Sequence, residues 1–309
     1  MIISTGMRTD IPAFYSKWLL NRIKAGFVYV RNPYNEHQIT KYSLNPSVVD
    51  CLCFCTKNPL PLIPHLDELF SFKQFWYVTI TPYGKDIEPN VPDKQKILEG
   101  FKEISKKVGV DAIGWRYDPI FFDNNFNLQK HIEEFSKIAR ALKGYTKICT
   151  ISFLDLYEKI KRNTPNIYPP NLEEQKEIGK AFSKIAEENG MKIHSCCEGV
   201  HLAEFGVDVG GCQTKEMLEK AIGANLIPPK MKNQRGTCSC LLGNDVGEYN
   251  TCGHLCKYCY ANCDKDVVLR NMKKHNPNSP LLIGNGGKGD KVVEAKQKSY
   301  LNLQIKMEV

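Results

Sequence analysis

The sequence predicts an α/β fold of about six parallel strands, either a partial (β/α) barrel, the form taken as the expectation, or an open doubly wound sheet, and three observations bear on it. Short apolar runs of strand length alternate with amphipathic helical patterns over residues 1–200. No GxGxxG follows any run, which counts against a dinucleotide-binding sheet. Most of the runs end in polar or charged residues, at the strand ends where parallel α/β folds carry their sites.

The strand candidates are 1–4, 49–55, 75–81, 112–117, 148–153 and 191–196, most of them rich in β-branched or aromatic residues. Between the first two, Asp10 and Pro12 form the cap and first turn of a helix that carries Tyr15, Leu19 and Ile23 on one face and stops at Gly26. A second helix fits 93–108, with Ile97, Leu98, Phe101, Ile104 and Val108 at helical spacing. The third runs from Asn127 to Gly144 with Ile132, Phe135, Ile138, Ala139 and Leu142 inward. The fourth begins at Asn171, with Glu174 in capping-box position and Ile178, Phe182 and Ile185 inward. Such alternation implies parallel strands joined by right-handed crossovers.

The polar strand ends are 4–10, Thr56-Lys57-Asn58-Pro59, 81–85, Arg116-Tyr117-Asp118-Pro119, Ser152 with Asp155, and Cys197-Glu198, read together as one rim. After Gly199 the alternation stops, and 206–265 is dense in Gly, Asn, Asp and Cys. The expected organisation is therefore a partial barrel over 1–200 and a Cys-rich extension with a tail over 201–309. Gly284 to Gly289 (GNGGKG) follows no clear strand and opens no helix, so it reads as a flexible loop rather than a phosphate cradle.

Composition narrows the function. With 42% hydrophobic and 25% charged residues in 309, the chain can bury a large core, and no apolar run approaches the ~20 residues of a membrane span. The N-terminus lacks the pattern of a secretory signal, so a cytoplasmic location is expected, with no membrane partner. The net charge of +8 is spread along the chain and allows an anionic partner without arguing for one. Thirteen cysteines in such a chain point to metal or redox chemistry. Six of them, Cys238, Cys240, Cys252, Cys256, Cys259 and Cys263, fall within 238–263.

Cys252, Cys256 and Cys259 form CxxxCxxC, with Tyr258 just before the last cysteine. Three thiolates on one short loop can ligate three irons of a 4Fe-4S cubane and leave the fourth iron open. A zinc site would need a fourth ligand, for which Cys263 and His254 are the candidates. The triplet with its aromatic residue resembles the signature of the radical S-adenosylmethionine (radical SAM) superfamily. Trp115-Arg116-Tyr117-Asp118-Pro119-Ile120 resembles a stretch of its spore photoproduct lyase branch. Arg8 to Tyr15, Thr56 to Pro59, Thr81 to Gly84, and Asp245 to Cys252 with Cys259 to Asn262 resemble an uncharacterised microbial family, a domain of unknown function.

The resemblance implies a radical SAM enzyme: a 4Fe-4S cluster chelates and reductively cleaves SAM, and the resulting radical abstracts hydrogen from a substrate that the sequence does not identify. A reductant such as flavodoxin or ferredoxin would be a partner. Superfamily members normally carry the triplet after the first strand, whereas here it follows six candidate strands. The cluster-binding extension must then fold over the barrel mouth, where the end of the first strand has no cysteine of its own. Contacts to SAM are placed on the rim: Arg8, Lys57 or Arg116 for its carboxylate, and Asn58, Asp118, Ser152 or Glu198 for its amine and ribose. Arg116 and Asp118 equally fit a structural ion pair.

Cys197, Cys212, Cys238 and Cys240 are read as ligands of an auxiliary 4Fe-4S cluster or zinc, with Cys196 as a substitute for Cys197 and Cys263 as a spare. Cys51, Cys53 and Cys55 alternate along one strand face and read as small core residues. Two other readings stay open: a non-catalytic or electron-transfer iron-sulfur (or zinc) protein, and a radical SAM enzyme acting on nucleic acid.

Overall fold

The structure, a computed structural model, describes residues 1–229 and 239–302. Strand β1 (Ile2–Ser4) leads into two short helices, α1 (Ile11–Phe14) and α2 (Ser16–Ala25). Sequence periodicity implied one helix here. Tyr15 interrupts it by leaving helical geometry (φ −133°), and its hydroxyl donates to the Thr251 carbonyl at 2.7 Å. Asp10 caps α1 by accepting from the Ala13 amide, and Gly26 ends α2 in the left-handed region at φ 76°.

A hairpin of β2 (Phe27–Asn32) and β3 (Asn35–Ser43) follows, and the sequence reading missed it. The reason is its polarity: β3 is NEHQITKYS, mostly exposed, with little apolar alternation to mark it.

Next come β4 (Cys51–Thr56), a 3-10 turn at Ile63–Leu69, β5 (Gln74–Thr79), α3 (Lys94–Val108), β6 (Ile113–Ile120), α4 (Leu128–Leu142) and β7 (Ile148–Phe153). Asp93 and Asn127 cap α3 and α4 as their side-chain chemistry suggests. After the short α5 (Glu158–Asn163), α6 (Leu172–Glu188) opens with the capping box of Asn171 and Glu174, and β8 (Lys192–Ser195) follows. Beyond Gly199 lie α7 (Lys215–Ile222), the two-residue β9 (Asn244–Asp245), α8 (Lys265–Lys273) and β10 (Lys291–Glu294).

Seven strands form one parallel sheet in the order β8-β7-β6-β5-β4-β1-β9. The order follows the chain from β4 to β8 without reversal, unlike a doubly wound sheet. Alternate strand residues feed two cores. Ile3, Phe54, Trp76, Trp115 and Ile151 pack with the apolar faces of α2, α3, α4 and α6, so these helices cover one face. On that side Phe54 stacks on Trp76 (4.0 Å between centroids) and Phe135 on Phe182 (3.8 Å). Each such fully buried side chain contributes roughly 1.5–3 kcal/mol by leaving water.

The opposite face is divided along the strands. Its lower half holds Ile2, Cys51, Cys53, Phe75 and Tyr77 against Met217, Leu218 and Ile222 of α7. Cys51 and Cys53 are thus core residues. Gly114 lets Tyr77 lie across this face, because a Cβ there would fall 2.5 Å from the Tyr77 ring. Towards the C-terminal strand ends the same face turns polar, with Cys55, Thr79, Arg116, Asp118 and Ser152. No helix among the described residues is long and apolar enough to cross a membrane.

Candidate functional site

The loop carrying the cysteine triplet lies against the C-terminal ends of β1, β4 and β5. Thr251 receives the Tyr15 hydroxyl, and Tyr260 donates to the Met7 carbonyl. The Asn90 side chain donates to Gly253 O (2.7 Å), and the Lys257 amide donates to Ile87 O (3.0 Å). Within the loop, Asn262 donates to Cys252 O (2.8 Å), and Leu255 adopts φ 56°, which tightens the turn between Cys252 and Cys256.

Beneath Tyr258 sits a buried charge hub that the sequence reading did not single out. Glu88, 1% exposed, accepts from Lys57 Nζ (2.9 Å), Thr81 Oγ1 (2.8 Å), Lys94 and the Tyr258 hydroxyl. Burial alone would raise its pKa, but the two ammonium groups outweigh burial and hold it at about 2. Burial pulls Lys57 down, and the carboxylate of Glu88 more than restores it. The only sequence signal for Glu88 was its place in the loop after β5.

His254, between the first two triplet cysteines, has both ring nitrogens engaged: Nε2 lies 2.8 Å from Asp10 Oδ2 and Nδ1 3.4 Å from Asn90 O. Asp10 also accepts from the Lys57 amide at 2.7 Å, so one carboxylate ties α1, β4 and the triplet loop together. His254 is therefore not free to serve as a fourth metal ligand. Cys263 is exposed, and its amide donates to Asn250 Oδ1 at 2.5 Å.

Burial raises Cys252, and Asp10, Cys259 and Cys256 add to it. Burial pushes Cys256 up to about 12, against the pull of Lys57. The Ala261 amide donates to Cys259 Sγ at 3.3 Å. Three soft sulfur donors with the neighbouring imidazole committed elsewhere suit an iron-sulfur cluster with three protein ligands better than a closed four-ligand zinc site. Among the described residues, no three His, Cys, Asp or Glu side chains are gathered as the ligands of a metal ion.

The rim residues expected to contact SAM are separated into pairs. Arg8 donates to Asp245 (2.7 Å to Oδ2 and 2.7 Å to the carbonyl), and Lys57 belongs to the Glu88 hub. Arg116 pairs with Asp118 (Nε to Oδ2 3.1 Å) and lies over the Tyr77 ring, so the ion-pair reading of these two holds. Asn58 turns onto its own loop, accepting from the Leu60 amide at 3.3 Å. Ser152 Oγ and the Phe153 amide both donate to Glu198 Oε1, at 3.0 and 2.9 Å. Burial nonetheless raises Glu198 to about 7.

Of the second cysteine set, Cys238 lies outside the described residues. Cys212 and Cys240 are adjacent, their sulfurs 3.6 Å apart, and Cys196 and Cys197 follow directly after β8.

A family model described as Domain of unknown function (DUF1848) matches residues 2–261, from β1 through the whole triplet. The chain belongs to that family. No curated protein matches the chain. In this DUF1848 protein the matched span brings the N-terminal strand end and the cysteine loop, more than 240 residues apart at Asp10 and His254, into one assembly.

Proposed function

We propose that this DUF1848 protein is a radical SAM enzyme whose cluster is held by Cys252, Cys256 and Cys259. The observation that carries the reading is the seating of this loop on the ends of β1, β4 and β5 with His254 committed to Asp10 and Asn90, which leaves three thiols and no fourth side-chain ligand from within the motif. A 4Fe-4S cluster bound there supplies an open iron for chelating SAM and the electron for cleaving its sulfonium bond. The chain's own residues do the rest. Asp10 and Glu88 fix the loop, Lys57 lies 5.5 Å over the Tyr258 ring, and Arg116, Asp118, Ser152 and Glu198 offer polar groups to SAM or substrate. On this reading the sheet is a partial (β/α) barrel with its inner face towards the cluster, supported by the packing of α2, α3, α4 and α6 on one face and by the chain-order run of β4 to β8.

Anaerobic reconstitution, iron counting and a SAM-cleavage assay test the proposal. Reduced protein is expected to release methionine and 5'-deoxyadenosine, and replacing any triplet cysteine with Ala should abolish this. Iron content and visible spectrum unchanged in the triple Ala variant would refute the ligand assignment. Full iron occupancy with no 5'-deoxyadenosine and no effect of SAM on the cluster's spin-resonance signal would favour an electron-transfer protein instead.

A further inference from the structure

Loops join the two edges of the seven-stranded sheet, and a pair of cysteines sits at the join. At one edge, chain beyond β8 returns to pair with it through a parallel bridge of His194 with Asp208, and the Asp208 amide donates to Ile193 O at 2.9 Å. At the other edge, residues 239–243 lead into β9 alongside β1. The two loops then meet. The Leu241 amide donates to Gln213 O (2.8 Å), the Gln213 side chain donates back to Leu241 O (3.0 Å), and the Ser239 hydroxyl donates to Gly210 O.

Cys212 and Cys240 lie within this join, 28 residues apart in sequence and with their sulfurs 3.6 Å apart. The amides of Cys212 and Gln213 reach Cys240 Sγ from 3.1 and 3.3 Å, which fixes that sulfur against the opposite loop. Gly211 permits the approach, since a Cβ there would come 2.8 Å from the same sulfur. The Tyr77 hydroxyl donates to Cys212 O and so ties the pair to the centre of the sheet.

Close sulfurs do not by themselves make a disulfide site. Cys51 and Cys53 are 3.8 Å apart, but they stand two residues apart on β4, which β1 and β5 hold on both sides. Bonding them would strain Cα atoms that a strand keeps ~6.6 Å apart, near the upper limit for a disulfide. Cys212 and Cys240 belong to irregular segments, so a shift of about 1.5 Å brings their sulfurs to bonding distance. Two sulfurs suffice for that bond. A metal site needs more ligands, and no three His, Cys, Asp or Glu side chains are gathered for one among the described residues.

We infer that Cys212 and Cys240 are a site of reversible oxidative modification, forming a disulfide that locks the two edge loops together. The oxidant is a low-molecular-weight disulfide such as glutathione disulfide. One cysteine attacks a sulfur of that molecule and releases one thiol; the second cysteine then attacks the cysteine sulfur of the mixed disulfide and releases the other. Two electrons pass to the oxidant, and the two cysteine protons leave on the released thiols. Ser239 is exposed beside Cys240 and gives the oxidant its approach. The closed loop carries α7, whose Met217, Leu218 and Ile222 cover the lower half of one sheet face, so oxidation ties that cover down. The site is independent of the radical SAM reading.

The test uses the full chain, purified anaerobically, treated with glutathione disulfide, quenched with N-ethylmaleimide and digested without reductant for peptide mass spectrometry. A Cys212–Cys240 link should form in at least tenfold higher yield than a Cys51–Cys53 link, and dithiothreitol should reverse it. The urea midpoint of the oxidised chain should exceed that of the reduced chain by roughly 1 M, as expected for closing a loop between residues 28 apart. Cys212→Ser should remove both the link and the shift, and the comparison of oxidised with reduced parent needs no variant. Free thiols or glutathione adducts at Cys212 and Cys240 in place of the link, equal linkage of either to other cysteines, a midpoint unmoved by oxidation, or a link that forms only after metal chelation would each overturn the inference.

Discussion

Replacing Glu88 with Gln keeps the shape of the buried hub and removes its charge. The carboxyl titrates at about 2 against an ordinary 4.5, a difference worth about 3 kcal/mol at roughly 1.4 kcal/mol per unit. A pKa lowered by folding stabilises the native state above the unfolded value, so this contribution is full above pH ~4.5 and is lost as pH falls towards 2. Glu88→Gln should therefore destabilise the protein by about 3 kcal/mol at pH 7, because Lys57 and Lys94 are left buried without their counter-ion. In urea, followed by tryptophan fluorescence, the midpoint should fall by roughly 1 M at unchanged slope. The gap between variant and parent should narrow between pH 4.5 and 2. Since the Tyr258 hydroxyl also loses its carboxylate, Cys256 in metal-free protein should react faster with a thiol reagent. A loss below about 1 kcal/mol at pH 7, or a gap independent of pH, would refute the hub as the anchor of the triplet loop.

Other substitutions probe the remaining parts of the site. Gly6→Ala puts a Cβ 2.7 Å from the Cβ of Cys55 and nearer still to its carbonyl, and should cost several kcal/mol or prevent folding, read by thermal unfolding. Arg116→Met should cost about 3–5 kcal/mol by leaving Asp118 unpaired, and the double variant with Asp118→Leu should recover part of that loss. Glu198 is raised by burial, so its ionisation works against folding above its ordinary range. Glu198→Gln should stabilise by on the order of 1 kcal/mol at pH 9 and by nothing at pH 4, seen as a pH-dependent shift in the urea midpoint. Asp10→Asn should free the His254 ring and lower iron retention on gel filtration without changing the secondary structure seen by circular dichroism.

Much of the framework was legible because its signals are local. The six expected strands correspond to β1 and β4 to β8, and Asp93, Asn127 and Asn171 cap helices where they stand in sequence, since capping depends on a side chain and an amide two or three residues away. The spacing of Cys252, Cys256 and Cys259 is likewise a property of one short loop. The hairpin of β2 and β3 was not legible, because an exposed polar strand carries no burial pattern and is defined by its pairing.

By itself, then, the sequence determined which segments become strands and helices and which cysteines share a loop, because those follow from periodicity and spacing within about 20 residues. Only the tertiary structure decided how those pieces serve a site. It set the loop of residues 251–262 on the end of β1, committed His254 to Asp10, buried Glu88 between two lysines, and placed Cys240 against Cys212. These choices depend on partners tens to hundreds of residues apart, with polar side chains whose pairing has no periodic trace. Their energies arise from desolvation and charge, which a residue acquires only when the folded chain surrounds it.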